Sequence, residues 1–233
     1  MKYSLLSVDR DAKTKKGTLA GWLTAVLFLS PAKEADGVHD MCPGRCPECT
    51  EGCLYNSGFA EAYPMVNEGR IARTLDYIAN PKRFMARLER DTDKFLIEAK
   101  TRNLKPAARW NGTSDQWKLA NHMIKRYPGL QQYDYTKLDR PWERVRDNYH
   151  LTYSFKGDNL RQCMNALEHN INVAVIFKGA KPGRWHGVPV IDGDRNDLRF
   201  LDPKGVIVGL RPKGRRIQQL KPGGFVQIGV VAA

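Results

Sequence analysis

"GTLAGWLTAVLFLSPA", Gly17 to Ala32, is the stretch on which the fold turns. It follows Lys13, Lys15 and Lys16 and has the outline of a secretory signal core. Its apolar run falls short of the roughly 20 residues that span a bilayer. Asp9 and Asp11 stand ahead of it, where a signal segment carries basic residues. Thr18, Thr24, Val26 and Phe28 suit a buried strand. The reading is a strand over about Thr18 to Leu29, in a cytoplasmic protein with no membrane partner. Thiols stay reduced in that compartment, so metal or cluster binding outranks disulfides for the cysteines.

Outward from this strand, helices and strands alternate. "NPKRFMARLERDTDKFLIEAKTR" reads as a long helix, with Asn80 as cap and Pro81 at the first position. Phe84, Met85, Leu88, Phe95, Leu96 and Ala99 share one face. "LKPAARWNG" is a strand running into a turn. "SDQWKLANHMIKRY" is a helix capped by Ser114 or Asp115 and stopped at Pro128–Gly129. "LQQYDYT" and "YHLTYSF" are strands, and "NLRQCMNALEHN" is a short helix with Cys163 on its apolar side. "INVAVIF" is a continuous apolar strand of the parallel-sheet kind. "VPVIDGDRNDLRFLDPKGVIVGL" reads as strand, turn, strand, turn, strand, and "GGFVQIGVV" as an edge strand. The order predicts an α/β fold with a mostly parallel sheet, either a partial, open β/α barrel or a doubly wound sheet. The chain, 1–233, reads as a single domain, with a cysteine loop at 42–53 and a basic C-terminal arm at 204–233. In such folds ligands gather at the carboxyl ends of the strands.

"CPGRCPECTEGC", Cys42 to Cys53, holds four of the five cysteines in twelve residues. Cys42, Cys46, Cys49 and Cys53 in one irregular loop fit a cuboidal iron–sulfur cluster, whose thiolates come at short spacing. A tight zinc loop, with His39 nearby, is the alternative. Pro43, Gly44, Pro47 and Gly52 are expected to keep the loop free of helix.

Cys42, Cys46 and Cys49 form a C-x-x-x-C-x-x-C pattern after a strand. It resembles the radical S-adenosylmethionine (SAM) superfamily. That resemblance implies a [4Fe–4S] cluster, SAM on its open iron, reductive cleavage to a 5′-deoxyadenosyl radical, and a partial or complete (β/α) barrel. It also makes "RWNGTSD" the counterpart of the SAM-contacting strand end, with Asn111, Gly112, Thr113, Ser114 and Asp115 as cofactor-binding residues. Across nearly the whole chain, "CPG…C…CLY", "RWNGTSD", "YDYTK", "NYHLTYS", "NVAVIF" and "PVIDGDRNDLRFLDPKGVIVGLRPKG" resemble an uncharacterised, radical-SAM-like family of phage and prophage proteins. This second likeness implies Cys42, Cys49 and Cys53 as the shared cysteines, with Cys46 additional, and host cytoplasm as the location.

The net charge of +13 favours a polyanionic partner, nucleic acid first. No acidic residue follows Asp202, whereas Lys204, Arg211, Lys213, Arg215, Arg216 and Lys221 do. These six are the candidate nucleic-acid contacts, DNA and RNA being equally open. A second basic set, Lys82, Arg83, Arg87 and Arg90, lies on the long helix. Asp134, Tyr135 and Lys137 near a strand end, and His150 with Thr152 and Ser154 on one strand face, are further polar candidates. Asp192, Asp194, Asp197 and Asp202 read as turn residues, with Arg199 neutralising one. The expected function is a phage-type [4Fe–4S] protein that engages nucleic acid, its cluster structural or redox. A radical SAM enzyme and a zinc-stabilised nucleic-acid-binding module are the alternatives.

Overall fold

The computed structural model describes residues 4–9, 12–53, 55 and 63–229. The described chain divides into two compact units: Met1–Cys42, Pro64–Asp134 and Arg146–His150 form the first, and Pro43–Tyr63, Tyr135–Val145 and Leu151–Ala233 the second. Two strands, β4 (Gln131–Thr136) and β5 (Tyr149–Ser154), run from one unit into the other.

In the first unit the strands are β1 (Leu6–Val8), β2 (Trp22–Leu27), β3 (Lys105–Arg109) and the start of β4. β1 is antiparallel to β2, and β2, β3 and β4 are parallel, with Thr24 opposite Ala107 and Ala107 opposite Gln131. β2 lies within the predicted range and is buried from Leu23 to Leu27, as a strand covered on both faces must be. The residues before it form α1 (Ala12–Leu19), so Thr18 and Leu19 are helical and not part of the strand. The lysine-rich stretch has no apolar periodicity to announce that helix.

The crossover from β2 to β3 carries α3 (Pro64–Ala79) and α4 (Pro81–Thr101). Asn80 Oδ1 accepts the Arg83 N–H at 3.0 Å, and Pro81 sits in the first turn, as the sequence predicts. α4 buries Phe84, Leu88, Thr92, Phe95 and Ala99 and packs toward β1 and β3. α3 has no counterpart in the sequence reading. α5 (Trp117–Arg126) follows β3 and buries Leu119, Ala120, Met123 and Ile124.

The second unit is built on the rest of β5, β6 (Asn172–Lys178), β7 (Arg184–Trp185), β8 (Val188–Asp192), β9 (Ile207–Leu210) and β10 (Val226–Ile228). β5, β6, β9 and β8 are parallel neighbours in that order, and β7 is antiparallel to β8. β10 pairs in parallel with the far end of β6, Val226 opposite Ile176. The residues after Ile228 in the predicted last strand lie partly outside the described residues. α6 (Leu160–Glu168) places Cys163 at zero exposure among Tyr153, Val173, Val175 and Phe177, a core position as expected. The middle strand expected between β8 and β9 is a single 3-10 turn at Arg199–Leu201. Arg199 and Leu198 turn inward there, and Arg199 Nη1 lies 3.3 Å from Asp202, so alternation along this stretch belongs to a turn. Lys181 pairs with Asp192 and with Asp194, the latter at 2.8 Å, so this carboxylate group is ion-paired turn chemistry.

The architecture is mixed α/β on a mostly parallel, unclosed sheet. No described helix is long and apolar enough to cross a membrane.

Candidate cofactor site

In the first unit the chain leaving β3 is laced to the chain leaving β2. Gly112 N–H donates to Leu27 O at 2.9 Å, and the Thr113 hydroxyl donates to Leu29 O. Further along, Asp115 N–H donates to Met41 O at 2.8 Å and Gln116 Nε2 to Asp40 O at 3.2 Å. The Cys42 thiol in turn donates to Thr113 O at 3.5 Å, and Cys42 N–H to Asp40 Oδ1 at 2.8 Å. The close approach requires glycine at 112: a Cβ there would lie 2.5 Å from the Phe28 ring and 2.7 Å from Val26 Cγ1. The segment Asn111–Asp115 therefore stands beside Cys42 at the carboxyl edge of the parallel strands.

Beneath that edge lies a buried polar network. Asp134, inside β4 and 1% exposed, accepts Asn111 N–H at 2.7 Å, Asn111 Nδ2 at 3.1 Å and the Tyr149 hydroxyl at 3.0 Å. Burial pushes its carboxyl up to about 7, against the pull of the Arg109 charge and of these donors. Asn111 Oδ1 accepts the Ser114 hydroxyl at 2.9 Å and Gln116 N–H at 2.7 Å. Neither Ser114 nor Asp115 caps α5; its N-cap is Gln116, without a side-chain hydrogen bond. Asn111, Thr113 and Ser114 are buried and engaged within the protein, so what this segment offers a ligand is its backbone and Asp115.

In the second unit the cysteine loop contains a helix, contrary to the expectation. α2 (Pro47–Glu51) starts on Cys46, whose Sγ accepts Cys49 N–H at 3.3 Å. Pro47 is at the first helical position, where a proline lacks nothing, so it opens the helix instead of preventing it. Gly52 ends α2, and a Cβ there would meet Ile217 at 3.0 Å. Cys46 is packed among Ile217, Phe225 and Val226, with Cys49 alongside. Burial raises the Cys46 thiol pKa, while the Cys49 N–H and the Lys137 ammonium favour the thiolate. Lys137 Nζ lies 5.8 Å from the Phe225 ring centre. Cys53 Sγ accepts Tyr55 N–H at 3.5 Å. No cysteine forms a disulfide. His39 bonds Asp36 through Nδ1 at 2.6 Å and is exposed.

Two of the four loop sulfurs thus accept backbone N–H groups, the environment in which iron–sulfur thiolates are found, and soft thiolates suit iron and zinc alike. Among the described residues, no group of three or more His, Cys, Asp or Glu side chains converges to hold a metal ion.

The six basic candidates of the second unit, Lys204, Arg211, Lys213, Arg215, Arg216 and Lys221, are all exposed. Their stretch comprises β9, α7 (Arg215–Gln219) and β10, with Ile217 and Phe225 anchored beneath. Lys213 approaches Asp194 at 3.9 Å. His150 is half-buried on β5. Sequence reasoning did not foresee the bond between Asn111 and Asp134. An acid within the alternating run "QQYDYT" was the available signal.

An α/β protein with an open, mostly parallel sheet and a thiol-rich loop is the class these features define. The chain belongs to the gene product 88 family, a phage protein family whose model matches residues 4–223. No curated protein and no solved structure matches it.

Proposed function

We propose that this phage protein is a [4Fe–4S] protein with a radical-SAM-like open sheet, whose Cys42, Cys46, Cys49 and Cys53 ligate the cluster. The observation that carries the reading is the placement of four thiols in one short loop entered from the carboxyl side of β2. Backbone N–H donation to Cys46 and Cys49's place beside it support the same reading. Bound there, a cluster supplies a redox centre or a covalent staple. The chain's part is to seat the sulfurs: Cys46 against Ile217, Phe225 and Val226, and Cys42 against Thr113 O. The exposed cations from Lys204 to Lys221 then hold a nucleic-acid backbone by counterion release.

A second reading is a radical SAM enzyme, with SAM lying along Asn111–Asp115. It is favoured by the hydrogen bond from Cys42 to Thr113 O, which sets that segment beside one of the four loop cysteines. It needs one iron left open, hence three ligating thiols.

Iron and sulfide are measured on anaerobically purified protein. Iron and sulfide near four each per chain are expected; colourless protein with stoichiometric zinc removes both cluster readings. With iron established, Cys53→Ala is expected to lose the cluster. Cys46→Ala separates the readings: retention with a SAM-induced change in the electron paramagnetic resonance spectrum favours the enzyme, and loss favours the closed cluster. DNA or RNA binding is expected to fall steeply with salt, and Arg215→Gln with Arg216→Gln to lower the log–log slope by about 2. A slope of zero in the parent protein would discard the nucleic-acid surface.

A further inference from the structure

β1 stands first in the order of the sheet, and among the described residues no strand pairs with its outer edge. Asp9 N–H donates to Thr24 O, so by alternation Ser7–Val26 is a hydrogen-bonded pair and Val8–Ala25 is not. The Val8 N–H and the Leu6 and Val8 carbonyls therefore point away from β2. Leu6 N–H points the same way and is answered locally, by Ser4 Oγ at 3.2 Å. Backbone donors and acceptors left over on a strand edge are a template for another strand.

This edge opens on a cleft of about 760 Å³ between β1 and α4. Leu6 and Val8 line it from one face of β1, and Phe95 lines it from α4. A strand laid beside β1 would point alternate side chains the same way as Leu6 and Val8, toward α4. There α4 presents Arg83, Arg87, Arg90 and Lys94, spaced by four, three and four residues along one stripe. Like charges at this spacing repel one another. Three acids share the cleft, and each is engaged. Asp76 pairs with both Arg83 and Arg87, Asp91 Oδ2 accepts Leu5 N–H at 2.7 Å, and Glu98 pairs with Arg102 at 3.1 Å. Arg90 and Lys94 are exposed and make no ion pair among the described residues. The charge presented to a ligand over the middle of α4 is therefore positive. A nucleic-acid backbone would answer the cations, but only a peptide chain also matches the alternating N–H and C=O groups of the edge.

We infer that the outer edge of β1, with the cleft it shares with α4, receives an extended acidic segment of a partner protein as an added strand. The added backbone pairs with Val8 and Leu6, and its inward carboxylates meet Arg90 and Lys94. The surface is independent of the cysteine loop and of the basic residues from Lys204 onward.

The probe is the fluorescein-labelled peptide Thr-Glu-Thr-Glu-Thr-Glu-Thr, amidated at its end and titrated with full-length protein at low salt, read by fluorescence anisotropy. Saturable binding is expected, and none to the same peptide with lysine in place of glutamate. Arg90→Gln with Lys94→Gln, both on an exposed helix surface, is expected to weaken binding about fivefold. Val8→Pro removes one outward N–H from an edge where proline fits, and is expected to weaken it severalfold. Two further peptides carry N-methyl groups on the threonine amides or on the glutamate amides. One set faces β1 and the other faces away, so one peptide is expected to lose binding and the other to keep it, a readout that needs no variant of the protein. Absence of saturable binding, or equal binding of both N-methylated peptides, overturns the inference. So does a single-stranded oligonucleotide that binds through Arg90 and Lys94 where the peptide does not.

Discussion

Two charged groups in the first unit, one fully buried and one half-buried, are handled in opposite ways. Asp134 meets three donors, from Asn111 and Tyr149, with the Arg109 charge nearby. Arg73 meets one carbonyl and two like charges. The first arrangement is closed: each polar atom around the carboxylate answers another, so it fixes the β3 end against β4. The second is half-buried, so water solvates what the one carbonyl does not. Burial decides how much must be answered within the fold: a carboxylate at 1% exposure needs its donors, and a half-buried guanidinium needs fewer.

The largest effect expected follows from breaking the closed arrangement. Asp134→Ala leaves Asn111 and Tyr149 donors buried without acceptors and should cost about 3 kcal/mol in denaturant unfolding. A loss below about 1 kcal/mol would mean that the network contributes little. The pH dependence sharpens the point. Asp134 titrates near 3.8 when unfolded and near 7 in the fold, so between those values the folded state binds more protons. Its contribution therefore falls as pH rises from about 4 to about 7, then stays constant. Asp134→Asn should flatten that part of the stability profile.

A smaller loss is expected where the two regions touch a common residue. Gly112→Ala drives a Cβ into Phe28, the residue on which Arg70 and Arg73 converge. Overpacking of this kind costs about 2 kcal/mol, read as a lower melting temperature. An unchanged melting temperature would mean that Phe28 moves aside freely. The smallest effect expected is that of Ser114→Ala, about 1 kcal/mol, because Asn111 Oδ1 keeps the Gln116 N–H when the hydroxyl is lost.

Much of the scaffold is legible in the residues. Asn80–Pro81 announces α4, and the apolar runs of β2 and β6 announce buried parallel strands. α3 is illegible for a physical reason. Periodicity finds a helix by its apolar stripe, and α3 turns Arg70 and Thr74 inward. The 3-10 turn at Arg199 misleads in the same manner, since a buried arginine between leucines mimics strand alternation. The cysteine spacing does not reveal that Pro47 would begin a helix on Cys46. The role of Asn111 depends on Asp134, 23 residues away, and no local pattern holds that information.

The seat of Cys46 has a consequence in time. Its apolar wall is Ile217, Phe225 and Val226, 171 to 180 residues further along the chain. During synthesis the thiols of the loop emerge long before their wall exists. On the proposed cluster reading, iron arriving early would meet a bare peptide, and iron arriving late a finished apolar wall. The Cys46 seat is complete only when the last strand of this unit has been made.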